Sequence, residues 1–453
     1  MSNLINAEPS PRSHIETLRK MGYTLQSAVG DIVDNSISAE SNNISIVVGL
    51  KKEIPYLAII DDGAGMYFDE LISNLRIGCK DPIEKREKGD LGRFGSGMKT
   101  ASFSQTKYLT VITKSENEEI CAAKWDLDLV KETNQWLLKS LDHNEIKDLL
   151  KQFEFNIGSS GTIILWESLD KYATLSSEEA EEVIKQDVSD LRSFVGLYFH
   201  KFFTNPHNIK FDINRIPLRP IDPFLVGEPG YHEGQEENFR VKGGKLNIKV
   251  HILPHESKIR KSKLIELGGV EGISAKQGLY IYREQRLIVA GGWQNLARLS
   301  QLGKLARIEV NVPSSVDDEW STDVKKSSLQ IPKKVRDRLR HLISNPIEKA
   351  KRVVKFKGEK ELVGDYWSLQ RNPRNDKSLY LINPKNEKIR NLMSSLSFEQ
   401  KENFKHILCE ISHSLPTTNI YYNMSTKPQD IDQGLEEMTR IFKELMNEVG
   451  SNS

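Results

Sequence analysis

The chain has 453 residues, 38% hydrophobic and 28% charged, which describes a soluble globular protein long enough for two or three domains. With 64 basic and 63 acidic side chains the net charge nearly vanishes, so bulk charge selects no partner and any nucleic-acid surface must be a local patch. The 3 cysteines are widely spaced and include no C-x-x-C pair, which speaks against a zinc site or disulfide framework and for a reducing compartment. The first residues show neither a basic n-region nor an apolar h-region, and no apolar run approaches the ~20 residues that a membrane span needs. A cytoplasmic protein with no membrane attachment is the expectation.

After a polar lead, Ser13 and Glu16 suggest a capping box for a first helix ending near Lys20. Residues 25–39, L-Q-S-A-V-G-D-I-V-D-N-S-I-S-A, predict the next helix. Leu25, Val29, Ile32, Val33 and Ser36 share one side at helical spacing, and Asp31, Asn35 and Ser38 lie on the other. A carboxylate beside a carboxamide suits a hard divalent cation and an activated water, although an ordinary amphipathic helix gives the same pattern. Strands follow at 44–50 and 56–60, joined as a hairpin. The second runs into D-D-G-A-G-M. There Asp61 can accept a hydrogen bond from an exocyclic amino group, while Gly63 and Gly65 let the backbone turn and admit a flat ligand.

A short helix is predicted over 68–75, with Asp69 and Glu70 early in it. Residues 78–90 are charged, lack apolar periodicity and read as a loop. They lead into G-R-F-G-S-G-M-K, residues 92–99, and then the helix-compatible T-A-S-F-S. Backbone N–H groups, a helix start and Lys99 suggest a phosphate cradle, with a spacing unlike Walker A and a placement unlike a Rossmann loop. Strands at 108–113 and 120–125 precede a mixed segment, 126–157, read as helix plus loop. G-S-S-G then opens a buried strand at 162–166, whose Thr162 can face the same pocket.

In this order the four stretches resemble those of the GHKL ATPases: gyrase, the ninety-kilodalton heat-shock chaperones, histidine kinases and MutL. The loop at 92–99 followed by T-A-S most resembles the MORC-like branch and its bacterial relatives. The resemblance runs from residue 25 to about 165. It implies an α+β Bergerat fold, a mixed sheet with helices on one face and ATP held between sheet and helices. It implies Mg2+ on Asn35, bridging the phosphates. Adenine would meet Asp61, with Gly63, Gly65 and Met66 around it and Thr162 supporting the contact. Gly92, Gly95, Ser96 and Gly97 would close over the phosphates, and Lys99 would help to neutralise them. Asp31 stands where the family usually has the glutamate that polarises the attacking water. The shorter side chain implies slow hydrolysis or a closer helix.

Residues 191–203 form an aromatic helix candidate, followed by a hairpin at 209–213 and 216–218 around Asn214-Arg215. Prolines 217, 220 and 223 suggest that a first, ATP-binding domain covers 1–225, with 226–240 as a polar boundary. Strands at 246–253, 278–282, 286–289 and 306–312 look like the ribosomal-protein-like transducer domain that follows the Bergerat domain in MutL and MORC proteins, here 226–345. That domain would return a lysine to the γ-phosphate, and Lys325 or Lys326 in the loop 318–328 is the candidate. Val335, Leu339, Leu342 and Ile343 give the next helix its buried side. Residues 346–453 read as mostly helical, with two heptads at 435–449.

Basic residues cluster at 258–263 and again at 325–357, fitting either a sequence-independent phosphate surface or a solvated helix face. The resemblance implies an ATP-dependent homodimer that clamps duplex DNA in a bacterial DNA-processing or phage-defence system, beside helicase or nuclease partner proteins. The alternatives are a protein-binding, chaperone-like or scaffold ATPase, and a nucleotide sensor with slow turnover.

Overall fold

Alternating apolar side chains build the first sheet. The computed structural model describes residues 9–78, 97–204, 206–241, 243–300, 303–316, 331–340, 342–343, 366–371, 378–383 and 386–414. By its internal packing the chain divides into two units, 1–350 and 351–453. In the first unit lie β1 (Asn43–Lys51), β2 (Ile54–Asp61), β3 (Thr106–Lys114), β4 (Cys121–Asp126), β5 (Leu138–Leu141), β6 (Gly161–Leu169), β7 (Lys210–Ile213) and β8 (Ile216–Pro217). They form one mixed sheet in the order β5-β4-β3-β6-β2-β1-β7-β8, in which β1 and β7 run parallel. Ile44, Ile46, Leu57, Ile59, Val111, Ile164 and Trp166 point to one face. That face is covered by α1 (Pro11–Arg19), α2 (Leu25–Ser38), α3 (Phe68–Leu75), α4 (Gly97–Phe103), α5 (Leu127–Thr133) and, after α6 (His143–Phe153), α7 (Ser177–Tyr198). The fold is α+β, as expected, with one addition. Ile112, Ala122, Ile163 and Leu165 point the other way, and α6 covers them through Ile146 and Phe153.

Local signals explain most boundaries. The first helix starts at Pro11, whose fixed φ suits a first turn. Glu16 pairs with Lys131 at 2.6 Å, so the box expected at Ser13 does not form. The capping box belongs instead to α2, where Thr24 and Ser27 exchange hydrogen bonds of 3.0 and 3.1 Å. A second one, Ser176 with Glu179, starts α7 well before the aromatic run expected as its beginning. Lys52 and Glu53 in the β1–β2 turn, and Asn214 and Arg215 in the β7–β8 turn, all have positive φ, the conformation of tight hairpins.

A second sheet in this unit contains β9 (His232–Val241), β10 (Gly244–Ile252), β11 (Gly278–Arg283), β12 (Arg286–Ala290) and β13 (Ala306–Val312), in the order β12-β11-β13-β10-β9. Strand β9 occupies much of the stretch expected as a polar boundary. Helices α8 (Lys261–Glu266) and α9 (Gly269–Ala275) lie between β10 and β11 in the chain. One set of alternating residues is apolar: Leu246, Ile248, Val250, Leu279, Ile281, Ile308 and Val310. The other set carries His251, Tyr280, Tyr282, Arg307 and Glu309, all buried. Here Phe224 stacks on His251 at 4.0 Å, and Lys201, just past α7, reaches Glu309 at 2.6 Å and lies 3.7 Å from the Tyr282 ring centre. Burial alone would raise the Glu309 carboxyl. Its hydrogen bond with His251 and the Lys201 ammonium more than offset this and hold it well below the ordinary carboxylate range.

Val335, Leu339, Leu342 and Ile343 are buried, on the helical side expected of them. In the second unit Trp367–Arg371 pairs antiparallel with Ser378–Ile382, followed by helices Glu387–Ser395 and Phe398–His413. Among the described residues of this unit helix outweighs strand, and the small antiparallel pair is an addition to the helical region expected there; the heptads at 435–449 lie outside the described residues. Among the described residues no helix is long and apolar enough to cross a membrane.

At Gly65, φ is +69° and an added methyl would stand 1.9 Å from the Lys114 carbonyl oxygen. Gly65→Ala should therefore lose at least ~2 kcal/mol of stability, read as a lowered denaturation midpoint. Glu309, with its depressed folded value, contributes stability that is present above the ordinary glutamate value of 4.5 and lost as pH falls below it. The melting-temperature gap between the parent protein and Glu309→Gln should be wide near neutrality and narrow on acidification.

Candidate functional site

Helix α2 is buried on more sides than its amphipathic pattern suggests. Asp31 is 6% exposed and Asp34 is 0% exposed, while Asn35 faces solvent. The Tyr23 hydroxyl, just before the helix, donates to Asp31 Oδ2 at 2.9 Å. Gly97, the first residue of α4, packs against the same carboxylate, since a methyl there would lie 3.6 Å from Asp31 Oδ2. Two motifs separated in sequence thus meet: the acid of α2 and the end of the glycine-rich loop. Asn35 follows one turn later on the same helix. Gly92, Gly95 and Ser96 lie outside the described residues, as do Lys325 and Lys326.

The other half of the site is a row across three strands. Sheet register places Asp61 of β2 opposite Thr162 of β6, and Thr162 opposite Thr113 of β3. Asp61 Oδ1 accepts from the Gly63 N–H at 3.0 Å, and Oδ2 accepts from the Ser36 hydroxyl at 2.7 Å. Burial raises the Asp61 carboxyl above the usual range despite these donors. An ionised carboxylate has about four lone-pair positions, of which Gly63 and Ser36 take two, with Ser41 and the Thr162 backbone also acting on Asp61. Thr113 Oγ1 lies 3.0 Å from the Gly161 carbonyl and 3.1 Å from Thr162 Oγ1, and accepts from the Met66 N–H at 3.0 Å. With the Thr113 proton on Gly161, Thr162 donates to Thr113 and offers its own lone pairs outward.

Several expected residues have more specific duties than the sequence suggested. Gly63 leaves no room for a side chain: a methyl would stand 2.7 Å from the Ala39 carbonyl and the Ser41 hydroxyl. Gly63 and Gly65 thus allow the turn to press against α2 and β3, a constraint internal to the protein. The Ala64 N–H reinforces it by donating to the Ala39 carbonyl at 3.0 Å. Asp62 fixes the start of β1 by accepting from the N–H groups of Asn42 and Asn43. Met66 is half-buried beside this turn. Lys99, expected as a phosphate cation, is 2% exposed, and its ammonium donates to the Asn74 and Arg76 carbonyls at 2.7 and 2.5 Å. There it neutralises the negative end of α3.

Tyr23, Ser36 and Thr113 were not singled out as site residues in the sequence. A serine among the apolar positions of α2 was the one legible signal, since a buried hydroxyl needs a partner. Among the described residues no cluster of three His, Cys, Asp or Glu side chains could hold a metal by itself. The donors present are hard oxygens, the Asn35 carboxamide and the Asp31 carboxylate. They suit Mg2+ whose remaining ligands are phosphates and water. The buried acceptor at Asp61 suits an amino-bearing base.

The family described as histidine kinase-, DNA gyrase B-, and HSP90-like ATPase matches residues 23–162. Mouse ATPase MORC2B is 28% identical over 97 residues, and human ATPase MORC2 is 29% identical over 97 residues. In each case the match covers 21% of this chain and 9% of the relative, so the chain spans under a tenth of the relatives it matches. The span matched by the family, residues 23–162, contains Asp31, Asn35, Asp61, Gly97 and Thr162, and part of the chain is similar to part of the MORC ATPases.

Proposed function

We propose that this domain binds Mg-ATP and hydrolyses it to ADP and phosphate. The observation that carries the reading is that α2 serves both ends of the site. Its Ser36 holds Asp61, while Asp31, on the preceding turn, packs against Gly97 at the end of the glycine-rich loop. The adenine amino group would donate to Asp61, supported by Thr162 and Thr113. Asn35 would hold Mg2+, which supplies charge neutralisation for the phosphates. Asp31 accepts a proton from water as the water oxygen bonds to the γ-phosphorus. The bond from that phosphorus to the β–γ bridging oxygen breaks, and ADP leaves. Tyr23 fixes the carboxylate that receives the proton. Lys325 or Lys326 remains the candidate cation for the γ-phosphate.

Beyond the chemistry, we propose that ATP draws two copies together into a clamp on duplex DNA, within a bacterial DNA-processing or phage-defence system that includes helicase or nuclease proteins. The second sheet is read as the transducer of that motion. Lys258, Lys261, Lys333, Lys334 and Arg336 are exposed and available to phosphates. A protein-binding, chaperone-like or scaffold role is the second reading, and one observation favours it. Arg260 pairs with Glu228, Lys263 with Glu266, Arg338 with Glu237 and Arg340 with Asp337, so acids locally neutralise part of both basic clusters.

Asp31→Asn should lower kcat by ~100-fold or more while nucleotide still binds; turnover equal to the parent would remove Asp31 from the chemistry. Asn35→Ala should abolish the Mg-dependent part of ATP affinity, and retained Mg dependence would contradict the metal assignment. Duplex affinity should fall steeply as salt rises. Binding that is absent or indifferent to salt would favour the protein-binding reading. A non-hydrolysable ATP analogue should convert monomer to dimer in light scattering, and an unchanged mass would exclude the clamp.

A further inference from the structure

Asp34 lies between Asp31 and Asn35 in the chain and points to the buried side of α2. A carboxylate with 0% exposure is costly without a cation. That cation comes from the second sheet, 252 residues away: Arg286 Nε, at the start of β12, donates to Asp34 Oδ1 at 3.0 Å. The guanidinium is held on every side that the structure describes. It lies 3.9 Å from the Phe199 ring centre and 5.5 Å from those of Phe194 and Tyr198. Its Nη1 donates to the Leu287 carbonyl at 2.8 Å. The fit reaches into the helix itself. A methyl at Gly30 would stand 2.9 Å from Arg286 Nη2 and 3.1 Å from the Phe194 ring, so α2 carries glycine where the arginine passes.

We propose that Arg286 is a positioning residue for the nucleotide chemistry: through Asp34 it sets where α2 presents Asp31 and Asn35, and it makes that placement depend on the five-stranded sheet. The role in turnover rests on the ATPase reading of the site; the mechanical link to α2 does not. Asp61, Thr162 and Thr113 are carried on strands of the first sheet, and α2 adds the Ser36 hydrogen bond to Asp61, so adenine binding depends on Arg286 in part and less than hydrolysis does. A shift of β12 relative to the first sheet moves the acid and the carboxamide, while the strand-borne Thr162 and Thr113 of the base pocket stay in place. Displacements of this size at a reacting centre cost orders of magnitude in rate. Coupling of this kind is reciprocal, so a nucleotide that fixes α2 also fixes β12.

The test uses the full chain with Arg286→Met and Arg286→Lys. Amide exchange in the nucleotide-free protein should rise at least ~10-fold over residues 25–38 in Arg286→Met, with residues 106–126 unchanged. In turnover, kcat should fall at least ~10-fold, while ADP affinity measured without magnesium stays within ~3-fold. Arg286→Lys, which keeps the charge but loses the planar stack, should recover part of both effects. Unchanged exchange at 25–38 overturns the proposal, as does ADP affinity that falls in step with kcat. Should Arg286→Met not fold, the lysine variant carries the same readouts. A parent protein that turns over no ATP counts against the proposed function alone, and amide exchange still decides the link.

Discussion

Burial of two carboxylates within one turn of α2 is the constraint on which the site depends. Charge taken out of water must be met by specific groups. Tyr23 meets Asp31, and Arg286 meets Asp34. Two residues beyond Asp34, Ser36 of the same helix meets another buried acid of the site, Asp61. The helix is therefore fixed by residues from before it, from the adjoining strand and from a distant sheet. No short segment of the chain could form this arrangement alone.

The second sheet shows how two kinds of contact coexist in one unit. Its apolar set closes a core with Leu246, Ile248 and Val310, while its polar set engages residues near the end of α7. This face of ions and aromatic rings, with Lys201 on Glu309 and Phe224 on His251, is directional. Arg286 belongs to the same sheet but reaches deeper, to Asp34 on the buried side of α2.

Much of this was legible in the residues. Short apolar runs bounded by turn residues located β1, β2, β3, β4 and β6, and 3.6-residue spacing located α2. Asp31, Asn35 and Asp61 could be named from motif order. What sequence could not show follows from tertiary partnership. The beginning of α7 was hidden because its exposed E-E-A-E-E turn carries no apolar stripe, although Ala180 and Ile184 are buried. Edge strands β5 and β9 have little apolar alternation and take their pairing from a neighbour. Lys99 read as a phosphate cation because its use by the Asn74 and Arg76 carbonyls depends on a packing that spacing does not encode. Arg286 carried no signal at all, since its partner is 252 residues distant.

Asp61, Thr162 and the α2 side chains, we propose, make one adenine-nucleotide pocket. Titration calorimetry of ADP into the parent protein and into Asp61→Asn tests it most directly. Saturable heat with one site per chain, lost in the variant while its fold is retained, is the result the account predicts. No heat from ADP in the parent protein, or equal heat in both proteins, would contradict it.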